Sequence, residues 1–152
     1  MKILFVCSGN TCRSPLAAAF ARKLTEERRI YNLSFESAGT GALDGGGASE
    51  AAILVGLERG VDLSAHRTRA LTPALIAESD FVLVMGPQHL DTVRIHGSES
   101  KVRLLDHFTS GGETANAIND PFGGSLDDYR TTASELQRQV ERLLDRLAER
   151  AR

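Results

Sequence analysis

Residues 5–15 read FVCSGNTCRSP, passing from an apolar run through a loop of small and polar side chains to a helix start. The run Lys2–Val6 (KILFV) is rich in strand formers, as expected of a strand covered on both faces. Beyond Pro15, residues Leu16, Ala19, Phe20 and Leu24 recur at helical spacing, while Arg22, Lys23, Glu26 and Glu27 can face solvent. The stretch therefore predicts a strand, a tight loop and a helix, with Cys7 and Arg13 bracketing the loop.

The same alternation continues outward. Leu33–Ser37 alternates like a strand, and Ala48–Arg59 predicts a helix closed by Gly60. Thr72-Pro73 offers an N-cap and a first helical residue, Phe81–Met85 (FVLVM) a second buried strand, and Lys101–Leu105 (KVRLL) a fourth strand. Leu126, Tyr129, Ala133, Leu136, Val140, Leu143 and Leu147 mark one face of a long terminal helix, with Ser125 and Asp128 able to cap its start. Strands alternating with helices predict an α/β fold with a parallel sheet, whose ligands gather beyond the C-terminal ends of the strands. The opening loop lies at such an end. Two segments without periodicity, Gly39–Gly47 and Asp106–Asp120, are expected to be long loops of the kind that carry function.

The 152 residues suit one domain, expected over 1–152, and 41% hydrophobic with 25% charged residues is ordinary for a soluble protein. A net charge of −2 supplies no field for nucleic acid, and no apolar stretch approaches a membrane span. The first fifteen residues lack the pattern of a secretory signal and are expected to belong to the fold. Two cysteines so close in sequence make no disulfide framework, so a cytoplasmic location is expected.

In a turn from strand to helix, successive main-chain N–H groups can converge, and the helix N-terminus adds positive partial charge. Such a point suits a tetrahedral oxyanion. Gly9 permits close approach, Asn10 tolerates left-handed geometry, and Arg13 can clamp two oxygens with its planar fork. The field favours the thiolate of Cys7, a nucleophile aimed at phosphorus, and Ser14 can donate a hydrogen bond to that sulfur. The loop residues Ser8, Gly9, Asn10, Thr11, Cys12 and Ser14 are accordingly the candidate phosphate contacts.

The string VCSGNTCRSP resembles the phosphate-binding loop of the low-molecular-weight protein tyrosine phosphatase family, and the likeness runs along essentially the whole chain. The resemblance implies a three-layer sandwich with a four-stranded parallel sheet and helices on both faces. It also implies a cysteinyl-phosphate intermediate, no metal or other cofactor, and phosphorylated proteins as substrates of a monomer or weak dimer. The family's late Asp-Pro pair matches Asp120 and Pro121 in NDPFGG. Asp120 is then the acid that protonates the leaving group and the base that activates water. Asp127 and Asp128 suit the first turn of the terminal helix instead. By the same resemblance, Ser37 in SAGT and His66 in DLSAHRTRA hydrogen-bond Asn10 and hold the loop in shape. Cys12 is either a buried small hydrophobe or, in the family's manner, a reversible disulfide partner of Cys7. No metal is expected, since His89, His96 and His107 have no metal-ligand spacing with the cysteines.

Most of the family cleaves phosphotyrosine, while one bacterial branch removes phosphate from protein arginine. That branch carries threonine between the Asn and Cys of the loop, where tyrosine-directed members usually have isoleucine, and here the residue is Thr11. DPFGGSLDDY also resembles the arginine branch, with Phe122 as a pocket wall. Protein phosphoarginine is therefore the favoured substrate and phosphotyrosine the alternative. Arsenate reduction is disfavoured because no cysteine follows Cys12, and a non-catalytic phosphate-binding module would leave Cys7 and Asp120 without a task.

Overall fold

The computed structural model describes residues 1–96 and 99–151. Its first strand, β1 (Lys2–Cys7), is buried from Ile3 onward, as a strand flanked on both edges and covered on both faces must be. On one edge it pairs in parallel with β2 (Ser34–Gly39), which brings Cys7 opposite Gly39. On the other it pairs with β3 (Phe81–Val84), which pairs in turn with β4 (Val102–Leu104). The order β2-β1-β3-β4 makes the chain cross to one side of β1 and then return to the other. That switch point leaves a crevice at the strands' C-terminal ends, where the loop after Cys7 lies.

The alternation of β1 sorts its side chains between two layers. Ile3, Phe5 and Cys7 join a core with Leu16, Ala17 and Phe20 of helix α1 (Arg13–Glu27) and Leu136, Leu143 and Leu144 of the terminal helix. Leu4 and Val6 point the other way, to Ile76, Val82, Val84 and Val93. Removing a fully buried leucine such as Leu143 from the first core should cost about 2–5 kcal/mol. The three-layer α/β sandwich with a four-stranded parallel sheet is thus as the sequence implied.

Local chemistry sets the ends of the helices. Ser49 caps α2 (Glu50–Glu58) by accepting from Ala52 N, and Gly60, at φ +84°, closes the turn that follows. Thr72 caps the short α3 (Pro73–Glu78), with Pro73 at its first position. Ahead of the long terminal helix, Ser125 and Asp128 form a reciprocal capping box.

One helix occupies a stretch to which the sequence reading assigns no element, and one expectation needs correction. The unassigned stretch forms helix α4 (Pro87–His96); only His89 and Val93 are buried on it, so no apolar stripe announces it. The segment expected to be loop from Asp106 begins inside a further helix, α5 (Leu105–Thr109), and only then becomes irregular. Five residues are too few to show a helical period. The terminal helix, α6 (Leu126–Arg150), buries the predicted face at Tyr129, Ala133, Leu136, Val140, Leu143 and Leu147. The expectation of one domain over 1–152 includes Gly97, Ser98 and Arg152, which lie outside the described residues. No helix among the described residues is long and apolar enough to cross a membrane.

Candidate active site

The loop from Ser8 to Cys12 turns sharply because Asn10 adopts φ +57°, a left-handed conformation that asparagine tolerates better than most residues. Asn10 is fully buried, and its polar atoms are used to brace the turn. Its Nδ2 donates to Ser14 Oγ (2.8 Å) and Ser37 Oγ (3.0 Å), and its Oδ1 accepts from Arg69 N (2.9 Å). Its carbonyl accepts from His66 Nε2 over 2.8 Å, which places the histidine proton on that nitrogen. Burial, with the charges of Arg22, Arg69 and Arg67, lowers the pKa of His66 even though its bond to Asn10 works the other way. The side chains of Asn10 and Ser14, both expected among the phosphate contacts, therefore sit behind the loop and leave their main-chain N–H groups to face its open side.

Four neighbouring carbonyls are also drawn outward. That of Cys7 accepts from Thr40 N, that of Ser8 from Gly41 N, that of Thr11 from Ser49 N and that of Cys12 from Leu16 N, all between 2.9 and 3.0 Å. Among the described residues, no main-chain N–H from Ser8 to Ser14 donates to another protein group. Carbonyls facing away and amides without protein partners, at the start of a fifteen-residue helix, make a cradle for an anion. Gly39 lets β2 come close enough to support it: a Cβ there would lie 2.5 Å from the Ser8 carbonyl oxygen and 2.9 Å from Asn10 N. No side chain larger than hydrogen fits that approach without moving the loop.

Over the cradle lies a cleft of about 350 Å³ lined by Cys7, Ser8, Gly9, Thr11, Cys12, Arg13, Asp120 and Phe122. Cys7 Sγ is 2.9 Å from Ser14 Oγ, which accepts from Asn10 Nδ2; its one proton has two acceptors in reach, the Ala38 carbonyl at 3.3 Å and the nearer sulfur, which attracts it more strongly once ionised. Both cysteines are free and buried. Burial first, then Cys7 and Asp120, push the Cys12 thiol up to about 12 against the opposing charge of Arg13, so Cys12 is a neutral packing group at physiological pH.

Arg13 is only 4% exposed, and its guanidinium is fixed from two sides. Nη1 donates to the Ile118 carbonyl at 3.1 Å, while Nη2 lies 3.5 Å from both Asp120 Oδ2 and Ser8 Oγ. Asp120 is half-exposed and is oriented by Phe122 N, which donates to its Oδ1 over 3.1 Å. Phe122 projects into solvent at the rim. Asp120 and Phe122 also border a neighbouring groove of about 340 Å³ that carries Asn119, Asp128 and Glu135.

Three contributors were not identified from the sequence. Ile118 is buried; its N–H donates to the carbonyl of Met85 at the end of β3 while its own carbonyl holds Arg13. Asp106 on α5 is buried and accepts from Thr114 Oγ1 (2.6 Å), Asn116 N (2.8 Å) and Gln139 Nε2 (2.7 Å), which ties down the chain leading to Asp120. Burial opposes charge on Asp106, but these hydrogen bonds prevail and its pKa is lowered. His89, 1% exposed, places Nε2 2.9 Å from Ser8 Oγ. The Ile118–Arg13, His89–Ser8 and Gln139–Asp106 links have no local sequence signature because each joins residues far apart in the chain, and the nearer Asp106 bonds to Thr114 and Asn116 lie in a segment without periodicity. Among the described residues no group of three or more His, Cys, Asp or Glu is arranged to hold a metal ion.

Comparison with known proteins fits this geometry. The protein-arginine-phosphatase of Geobacillus stearothermophilus is 41% identical over 148 residues, spanning 96% of this chain and 95% of that protein. A probable low molecular weight protein-tyrosine-phosphatase of Erwinia amylovora, AmsI, is 35% identical over 96% of each chain. Among solved structures, a YwlE arginine phosphatase variant with a phosphorylated active-site serine superposes with a TM-score of 0.88 at 35% identity, covering 97% of this chain and 96% of that one. The family model described as low molecular weight phosphotyrosine protein phosphatase matches residues 2–152. By match, fold and loop alike, the chain belongs to that family.

Proposed function

We propose that the protein removes phosphate from protein phosphoarginine through a phosphocysteine intermediate. The observation that carries this is the gathering of Cys7, Arg13 and Asp120 around one cleft floored by main-chain amides without protein partners. In the first step Cys7 Sγ attacks phosphorus, forming the S–P bond as the P–N bond to the guanidino group breaks. The loop amides and the Arg13 fork hold the oxygens on which charge is concentrated, a type of preorganised stabilisation worth about 10²–10³-fold per donor in other enzymes. Asp120 gives its proton to the departing nitrogen. It then takes a proton from the water that attacks phosphorus and breaks the S–P bond. The Ser14 hydroxyl stabilises the sulfur anion as it leaves.

Three features favour phosphoarginine over phosphotyrosine. Thr11 lines the cleft with a small side chain bearing a hydroxyl, which suits a polar guanidino group better than an aromatic ring. The neighbouring groove shares Asp120 and carries Asp128 and Glu135, carboxylates that match the cationic arginine released. The Geobacillus relative is itself named for arginine. Phosphotyrosine stays a second reading because the exposed Phe122 ring could stack on an aromatic substrate and the Erwinia relative is named for tyrosine. Two free, buried thiols suit a reducing cytoplasm, and we assign the working form there as a monomer or weak dimer.

Parallel hydrolysis of a phosphoarginine and a phosphotyrosine peptide tests the assignment. Wild type should favour phosphoarginine, Thr11→Ile should move the ratio of kcat/KM toward phosphotyrosine, and Cys7→Ser should turn over neither. An unchanged ratio in Thr11→Ile removes Thr11 as the selector, and a wild-type preference for phosphotyrosine overturns the substrate.

A further inference from the structure

We propose that His89 is a positioning residue that fixes the Ser8 hydroxyl as a hydrogen-bond donor to the phosphoryl group in the cleft. The proposal rests on the phosphatase reading above and adds to its loop amides and Arg13 one side-chain donor whose direction is set from outside the loop.

The direction follows from counting protons. Gly86 N lies 3.0 Å from His89 Nδ1, and a main-chain amide can only donate, so Nδ1 is the unprotonated nitrogen. In a neutral imidazole the proton then sits on Nε2, which faces Ser8 Oγ at 2.9 Å and donates to it. The reverse tautomer would oppose two N–H groups at Gly86. Burial, followed by the charge of Arg13, lowers His89 to about 4 despite the opposing charge of Asp120, so the singly protonated ring persists at neutral pH.

Ser8 Oγ receives a second donor from Arg13 Nη2, at 3.5 Å. With both acceptor positions facing donors, the hydroxyl keeps one proton to give, and among the described residues no protein acceptor takes it. Ser8 lines the cleft beside Arg13 and Asp120. A phosphoryl group seated over Cys7 presents only acceptor oxygens there, so it meets a hydroxyl already turned toward it. A serine with a free rotor would have to be ordered during the reaction; this one is ordered beforehand. His89 is itself held at the end of β3 by Gly86, so the rigid sheet sets the aim of the donor.

The test is a double-mutant cycle on Ser8→Ala and His89→Leu, read as kcat/KM on the phosphoarginine peptide and as inhibition by orthovanadate. Each single variant should lose about tenfold in kcat/KM and weaken vanadate inhibition in proportion, as expected for one hydrogen bond to a charged group. The double variant should be no worse than the poorer single. Ser8→Thr, which keeps the hydroxyl, and His89→Gln, which can keep an N–H toward Ser8, should recover most of the loss. Losses that multiply in the double variant, or Ser8→Ala within twofold of wild type in both readouts, overturn the proposal. Should His89→Leu fail to fold by thermal unfolding, Ser8→Ala against Ser8→Thr and His89→Gln decides by the same criteria. If wild type cleaves neither phosphopeptide, the parent reading fails; calorimetric titration with inorganic phosphate then decides this proposal alone, requiring weaker binding by Ser8→Ala than by Ser8→Thr.

Discussion

The Arg13 guanidinium and the Ile118 main chain form one joint: Arg13 Nη1 donates to the Ile118 carbonyl at 3.1 Å, while Ile118 N donates to Met85 O at 2.8 Å. The anion clamp is thereby fastened to the end of the central sheet and to the segment that carries Asp120. Arg13→Lys keeps the charge but cannot hold Ile118 and two phosphate oxygens together. Its kcat/KM should fall by about 100-fold or more, with thermal stability little changed; a loss under fivefold would show that charge alone suffices.

Asn10 closes the loop with bonds to Ser14, Ser37, Arg69 and His66. Asn10→Ala removes three of them and places a less tolerant residue at φ +57°. We expect a loss of about 2–4 kcal/mol in unfolding free energy and at least tenfold in kcat/KM, measured by denaturant unfolding and steady-state kinetics. Full activity at wild-type stability would contradict the bracing role.

Gly39→Ala is expected to harm activity more than its size suggests. Its Cβ would meet main-chain atoms of Ser8 and Asn10 within 3 Å, so the cradle must shift. Inhibition by inorganic phosphate should weaken about tenfold or more, since amide positions control anion binding. Unchanged inhibition would mean that the loop tolerates the displacement.

His89 carries a pH signature. Its value in the folded chain, about 4, lies below the ordinary 6.5, so between these pH values the unfolded chain binds more protons. This contribution to stability is complete above the unfolded value and is lost as pH falls through the window toward the folded one. The stability advantage of wild type over His89→Gln should therefore shrink between pH 7 and pH 5 in denaturant titrations. An equal advantage at both values would show that the ring is not held neutral.

Much of this was legible because the stretch from Lys2 to Leu24 joins a buried strand, a loop of characteristic residues and an amphipathic helix within a few turns of chain. Cys7 and Arg13 could be placed on one loop from the whole string between a strand and a helix, and Asp120 from its proline neighbour and the family resemblance. The long stripe from Leu126 to Leu147 exposed α6 in the same way. Helix α4 stayed hidden because its buried face is little more than His89 and Val93. The roles of His89 and Ile118 are long-range, and so is the bond that joins Asp106 to Gln139. His89 meets Ser8 81 residues away and Ile118 meets Arg13 105 residues away, and each partner is supplied by sheet topology rather than by neighbouring sequence. That Asn10 and Ser14 offer the cleft their amides and keep their side chains inside was not legible, because the loop motif does not reveal which of its side chains turn inward.

The central claim is that Cys7 carries the phosphoryl group between two half-reactions, and trapping that adduct tests it most directly. Asp120→Ala protein can be mixed with an aryl phosphate whose leaving group departs without a proton, quenched in acid, and mapped by peptide mass spectrometry. The first step should then outrun the second. We predict one phosphoryl group on the peptide containing Cys7 and none after Cys7→Ala. Turnover without any adduct at Cys7, or hydrolysis by Cys7→Ala at the wild-type rate, would contradict the account.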